Sequence, residues 1–323
     1  MQCFVPARAP ATLEEIERLS DAAKRPQLRK QILLAEPKVP LVPALRSRLN
    51  PHDDAVVHAA TALANLSVAT ELFRPHLILD SVLLRRLIAL IAAPAAPCAA
   101  RTAAARLLKN VALDDEVRLA VARAGAIRAL VDACSADAST GLQEQAARAL
   151  GNLAAFQGLA ECVFEAGGVD VLLRLYSAGE HTARDGALLA LANLSSSART
   201  RATLMRARIV PLLRTQIADT NPDSTPRANA GWILASLAVD PAQAAEVVAL
   251  GGVELLAAYA RIDCTKSKEE AAWALATLSS AEEHAVAMQA LGAVSPLLEL
   301  VSTPDHGVRL QALWALANLS VHE

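Results

Sequence analysis

Apolar residues recur along this chain at helical spacing, and one block of them returns almost unchanged. It reads QALWALANLS from Gln311 to Ser320, and upstream ATALANLS, AARLLKNVA, AARALGNLA, ALLALANLS, AGWILASLA and AAWALATLS. One marker position closes each block: Asn65, Asn110, Asn152, Asn193, Ser236, Thr277 and Asn318, with consecutive markers 41–45 residues apart. That period excludes repeats of about 33 to 34 residues, such as tetratricopeptide and ankyrin units, and falls among helical repeats of roughly 40 to 47 residues.

A second marker lies between these blocks, in Ala124-Gly125-Ala126-Ile127, Ala166-Gly167-Gly168-Val169, Leu250-Gly251-Gly252-Val253 and Leu291-Gly292-Ala293-Val294. Glycine tolerates left-handed dihedrals, so a short helix can turn there into the next one. After the glycines, ALVDAC, LLRLYS, LLAAYA and LLELVS carry apolar residues at helical spacing. Polar breaks such as Ser135-Ala136-Asp137 and Ser302-Thr303-Pro304-Asp305 end that second helix, and the marker helix follows as the third.

A short helix, a glycine corner, a medium helix and a long helix ending in ALANLS make a unit that resembles the armadillo repeat family. The resemblance runs from about Leu28 to Glu323. It implies an all-α, right-handed superhelical α-solenoid of about seven three-helix repeats. Residues 1–27 form an N-terminal extension with a capping helix, and residues 28–323 the repeat domain. The approximate repeats are 28–69, 70–114, 115–156, 157–197, 198–240, 241–281 and 282–323. The first two units replace the corner glycine near Pro37 and Asp80, and the fifth has Ala207-Arg208 there. Ahead of them, Thr12-Leu13-Glu14-Glu15 has capping-box spacing, so a helix is expected over Leu13 to Lys24. The last marker helix ends with no polar repeat after it, which points to a longer parent chain or a partner over that end.

Composition agrees with close helix packing. The 323 residues are 54% hydrophobic but only 3% aromatic. Charge is balanced, 31 basic against 33 acidic residues, so no global field marks a nucleic-acid binder. Arg85, Arg86, Arg101, Arg106 and Lys109 are answered by Asp114, Asp115 and Glu116, a mixed-charge face. Cys3, Cys98, Cys134, Cys162 and Cys264 are scattered and odd in number, which fits neither a disulfide framework nor a zinc site. Met1 to Pro10 lacks the apolar core of a signal peptide, and a cytoplasmic location is expected, with the nucleus as the alternative. The apolar stretch Leu77 to Ala100 is broken by Arg85, Arg86, Pro94 and Pro97, so it reads as repeat core.

In a stacked array the marker side chains form a ladder along the concave groove, here mostly asparagine. An asparagine amide can pair with both the carbonyl and the N–H of an extended peptide without regard to its side chains. Helices about 8 to 10 Å apart and a strand rising about 3.3 Å per residue allot two to three peptide residues to each repeat. The competing reading is that each Asn bonds to the preceding repeat and holds the stack. The recurring Asn-Leu-Ser triplets match glycosylation sequons only because the repeat recurs.

One helical turn before the markers stand Thr61, Arg106, Arg148, Leu189, Trp232, Trp273 and Trp314. Those three tryptophans are all that the chain has. Their indoles suit aliphatic stems and cation–π contact with Lys or Arg, whereas Arg106 and Arg148 suit acidic or phosphorylated groups. Packing between repeats is the competing reading for the indoles. The candidate peptide-binding set is Asn65, Arg106, Asn110, Arg148, Asn152, Asn193, Trp232, Trp273, Trp314 and Asn318.

Trp-x-x-x-Asn resembles the peptide-binding array of importin-α, which holds nuclear-localisation signals. Only Trp314 and Asn318 complete the pair, and Glu270 matches the acidic residue expected near Trp273 while Asn229 and Gln311 do not. Vacuolar armadillo scaffolds are also similar in repeat style. Their acylated N-terminus has no counterpart in Met1-Gln2-Cys3 beyond Cys3 itself. No phosphate loop, nucleophile elbow or clustered metal ligands stand out, and the seven histidines are dispersed. The expected role is a non-enzymatic scaffold or adaptor that binds extended segments of other proteins. No cofactor, metal, small-molecule substrate or nucleic acid is expected, and membrane association is the weaker alternative.

Overall fold

The computed structural model describes residues 10, 12–35, 40–78, 81–135, 137–218 and 224–321. Among them the regular elements are all α-helices. The chain divides into two compact units, residues 1–193 and 194–323.

The first unit begins with α1 (Leu13–Ala23), α2 (Pro26–Ala35), α3 (Leu41–Ser47) and α4 (Val56–Leu66). Three-helix groups follow: α5, α6 and α7 (Thr70–Ile78, Ser81–Ala92, Cys98–Val111), α8, α9 and α10 (Asp115–Arg123, Ala126–Ala133, Thr140–Ala154), and α11, α12 and α13 (Gln157–Glu165, Gly168–Ala178, His181–Leu194). The second unit has α14, α15 and α16 (Ala198–Arg206, Ile209–Ile217, Thr225–Ala238), then α17, α18 and α19 (Ala244–Ala249, Gly252–Ala260, Thr265–Leu278). It ends with α20, α21 and α22 (Glu282–Ala290, Val294–Val301, His306–Val321). The predicted marker helices are α4, α7, α10, α13, α16, α19 and α22.

Within the first unit α4 packs on α7 and α7 on α10; within the second, α16 packs on α19 and α19 on α22. Small side chains set how near these helices come. Ala62, Ala104 and Ala149 are fully buried, and a Cβ on Gly151 would lie 3.2 Å from the backbone of Ala190. The alanine-rich composition therefore reflects close approach of helix backbones, a packing that larger side chains would force apart.

The corners between first and second helices form as the glycines predict. Gly125, Gly167, Gly251 and Gly292 have φ of +87°, +79°, +82° and +78°. Arg208 takes the same left-handed conformation at φ +53° without being glycine, which costs an L-residue about 1 to 2 kcal/mol. Pro37 and Asp80 lie outside the described residues.

The capping box is present: Thr12 Oγ1 accepts from the Glu15 N–H and Glu15 Oε2 accepts from the Thr12 N–H. The helix that it opens ends at Ala23, one residue short of the expected Lys24. It packs on α4 and supplies the Ser20 carbonyl to Asn65 Nδ2 at 3.3 Å, so α1 stands where a preceding repeat's marker helix would be.

Of the apolar stretch around residues 77–100, the described residues include the end of α5, all of α6 and the start of α7, with Leu83, Leu87 and Ile91 fully buried. No single described helix is long and apolar enough to cross a membrane, although α20 and α21 would pass as a pair bent by 92°. Cys98, Cys134, Cys162 and Cys264 are free thiols, and Cys3 lies outside the described residues. In the last group Leu298 and Leu313 are 56% and 51% exposed, whereas their counterparts one repeat earlier, Ala257 and Ala272, are covered.

Candidate functional site

Six of the ten candidate residues lie in the first unit and four in the second, so two faces are described separately. In the first unit the asparagine ladder is tied to the stack. Asn110 Nδ2 donates to the Ala64 carbonyl at 3.2 Å, Asn152 Nδ2 to the Lys109 carbonyl at 2.9 Å, and Asn193 Nδ2 to the Gly151 carbonyl at 2.8 Å. Each acceptor is the residue just before the preceding marker, in the last turns of its helix, where most carbonyls lack intrahelical partners; that of Gly151 also accepts from the Ala155 N–H at 3.1 Å. Holding the stack is thus one role of the amides. Those bonds use Nδ2, and in Asn110 and Asn152 the amide oxygen takes no part in them.

Asn65 is more fully engaged. It is 8% exposed, donates to Ser20 and accepts from Arg106 Nη2 at 3.1 Å. The structure thus joins two candidates, Asn65 and Arg106, directly to each other. Arg148, half-buried on α10, has Nε 3.4 Å from Glu144 Oε1, but this buried N–H finds no acceptor in hydrogen-bond alignment. Its stem is close to Gly186 of α13, where a Cβ would come within 3.2 Å of Arg148 Cγ. Lys109, between the two arginines, is half-buried as well. Burial lowers the Arg106 pKa, and burial followed by the nearby Arg148 and Arg106 charges lowers that of Lys109.

The carboxylates expected to answer these cations pair elsewhere: Asp114 and Glu116 with Arg74, and Asp115 with Arg118. Two other cations of the expected mixed-charge face cap helices. Arg86 Nη1 donates to the carbonyls of Arg46 and Ser47 at 2.8 and 3.0 Å, and Arg101 Nε to that of Ile91 at 2.9 Å. Those carbonyls end α3 and α6, the positions where a cation offsets the helix dipole.

In the second unit the −4 row is Trp232, Trp273 and Trp314 on α16, α19 and α22. Trp273 and Trp314 are 39% and 49% exposed, and Trp232 is half-buried. The hydroxyls at the next two markers turn back on their own helix: Ser236 Oγ donates to the Trp232 carbonyl at 2.7 Å and Thr277 Oγ1 to the Trp273 carbonyl at 2.9 Å. Asn318 instead reaches the preceding repeat, donating through Nδ2 to Ser279 Oγ at 3.1 Å. Glu270 faces inward, 7% exposed, and accepts from the Tyr259 hydroxyl at 2.7 Å. Burial raises its pKa, with Tyr259 and Lys266 opposing.

The serine two residues beyond the marker was not singled out as a site residue in the sequence. Ser67, Ser195 and Ser279 are fully buried. Ser67 accepts from Asn110 at 3.1 Å, Ser195 donates to Ser236 at 3.1 Å, and Ser279 accepts from Asn318. The recurring Asn-Leu-Ser triplet, which becomes Thr-Leu-Ser at Ser279, was the available signal, and its serine joins one repeat to the next.

The Armadillo/β-catenin-like repeat model matches residues 114–155 and 282–321. No curated protein sequence matches the chain. Among solved structures, a crystal structure of an engineered protein is 30% identical, with a TM-score of 0.81, over 95% of this chain and 74% of its own. A designed armadillo repeat protein in complex with the peptide (KR)4 is 23% identical, with a TM-score of 0.64, over 73% of this chain and 99% of its own. Computationally designed armadillo repeat proteins for modular peptide recognition give 22% identity and a TM-score of 0.66 over the same shares. With the 41–45-residue period, the left-handed corners and the rungs between marker helices already in place, these matches identify the chain as a member of the armadillo/β-catenin-like repeat family.

Proposed function

We propose that this chain is a non-enzymatic scaffold or adaptor that holds extended segments of partner proteins on the marker-helix faces of its two units. The observation that carries the reading is the exposure of Trp273 on α19, a helix packed on both sides by α16 and α22, at the register position that Trp314 shares. An indole that served only packing would be driven out of water, because its burial contributes the largest apolar area of any side chain. Two exposed indoles on adjoining helices offer flat walls between which an aliphatic or cationic stem can lie, with about 0.5 to 2 kcal/mol of cation–π attraction each.

The asparagines fit the same role beside their structural one. Asn152 gives one N–H to the stack and retains an amide oxygen and a second N–H for a peptide backbone. The designed relatives, one bound to (KR)4 and others made for modular peptide recognition, support peptide binding by this architecture. Basic or apolar ligand residues suit the second unit, and acidic ones the arginine-bearing face of the first. Of the narrower readings, recognition of nuclear-localisation signals rests on Trp314 and Asn318, and Glu270 is drawn inward by Tyr259. A lipid-anchored scaffold rests on Cys3 alone. Cytoplasmic residence, with the nucleus as the second compartment, goes with this role.

Selection of peptides from a random display library on the folded chain, followed by affinity measurement on the Trp273→Ala, Trp314→Ala double variant, tests the reading. Loss of about tenfold or more in affinity, with the melting temperature unchanged, is expected for residues at the centre of a binding face. Undiminished binding by the double variant contradicts it.

A further inference from the structure

The first unit concentrates positive charge in a way that stacking does not explain. Arg106 and Lys109 lie one turn apart on α7, and Arg148 lies on the adjoining α10. The carboxylate beside them is Glu144, one turn before Arg148. Three cations against one anion leave a local excess of two positive charges on a half-buried face. Like charges cost more together there than in water, because the surrounding dielectric is lower.

The fold nonetheless holds the two arginines in place. Arg106 is fastened through Nη2 to Asn65. Arg148 has its stem near Gly186, and its buried Nε lacks an aligned acceptor although Glu144 is 3.4 Å away. The main chain of Lys109 is pinned by Asn152. Both arginines therefore approach a ligand with less left to order than free side chains, and the half-buried Lys109 stands between them. A carboxylate would supply one negative charge. A phosphate monoester supplies about −1.5 to −2, with three acceptor oxygens for the guanidiniums and the ammonium.

We infer that Arg106, Lys109 and Arg148 form an anion site for a phosphorylated serine or threonine side chain of an extended partner segment. The inference rests on the proposed role of the first unit's marker-helix face and specifies its ligand chemistry. The partner would then be held on this unit only after a kinase has acted on it, and released by the corresponding phosphatase.

Fluorescence anisotropy with a labelled Gly/Ser peptide carrying one central phosphoserine tests this, beside the same peptide with serine or glutamate there. Saturable binding of the phosphopeptide, at least about tenfold tighter than of either counterpart, is expected. Lys109→Gln and Arg148→Gln, each checked for an unchanged melting temperature, should erase that preference, and Arg128→Gln on the exposed face of α9 should leave it intact. No saturable phosphopeptide binding, equal affinity for the glutamate peptide, or full preference in both variants overturns the site. Inorganic phosphate competing as tightly as the phosphopeptide would overturn the peptide assignment in favour of a free-anion site. Asn193→Ala, at an amide tied to the Gly151 carbonyl rather than to a residue of the anion site, separates this inference from the groove reading. If it weakens all three peptides alike, backbone pairing holds; if it changes none while Lys109→Gln removes the phosphate preference, the anion site stands and backbone pairing fails.

Discussion

Asn110 donates through Nδ2 to the hydroxyl of Ser67 at 3.1 Å, and Ser67 donates in turn to the Ala64 carbonyl at 2.8 Å. Asn318 and Ser279 repeat the relationship in the second unit, with Ser279 donating to Ala276 at 2.8 Å. A serine two residues beyond one marker thus serves the asparagine of the next. Asn110→Ala leaves a fully buried Ser67 hydroxyl without its donor and is expected to destabilise the chain by about 1 to 3 kcal/mol, with Ser67→Ala costing about 1 kcal/mol. Chemical denaturation of the two single variants and the double variant checks this; strictly additive losses would show that the rung is not a coupled pair.

Arg208 occupies a left-handed corner that four other repeats give to glycine. Relief of its backbone strain outweighs the flexibility that glycine adds to the unfolded chain, so Arg208→Gly is expected to stabilise by about 0.5 to 1 kcal/mol. Gly251→Ala, the reverse change at an equivalent corner, should destabilise by about 1 kcal/mol. Thermal unfolding followed by circular dichroism reads both, and a lower melting temperature for Arg208→Gly contradicts the assignment.

Gly231, next to Trp232, lies under the ring of Tyr259. A Cβ there would fall 2.0 Å from the ring. Tyr259 is fully buried, so Gly231→Ala forces it to move and is expected to cost about 1 to 3 kcal/mol despite alanine's better helix propensity. Stabilisation by Gly231→Ala would contradict the contact.

Glu270 makes stability depend on pH. Its carboxyl is held above the usual range by burial, so the folded state binds this proton more tightly than the unfolded chain. Its contribution is therefore fully present below the ordinary glutamate pKa of about 4.3, and is lost as pH rises through the folded-state value. Glu270→Gln keeps an acceptor for Tyr259 and should reduce the fall in melting temperature between about pH 4 and about pH 7. An unchanged slope contradicts this.

The period, the corners and the capping box could be read from the chain because each depends on local backbone needs at a fixed position. The left-handed conformation of Arg208 shows the limit of that logic: the corner persists where its preferred residue is missing, because the helices on either side impose it. The asparagines were less legible. The same amide at the same period serves a peptide backbone or the carbonyl of the preceding repeat, and residue type does not separate the two. Nor does it reveal that Trp273 and Trp314 stay exposed while Glu270 turns inward. Gly231, Tyr259 and Glu270 meet across two repeats, and no regular spacing connects them.

The most direct test of the scaffold reading uses the fact that the chain has only three tryptophans, all in the −4 row of the second unit. Each gives one indole Nε1–H signal in a nitrogen–proton correlation spectrum. During titration with a library-selected peptide that binds the second unit, the Trp273 and Trp314 signals are expected to move progressively and saturate at the stoichiometric point. If the peptide binds that unit while all three indole signals stay where they were, the marker-helix face is not the binding surface and the account is wrong.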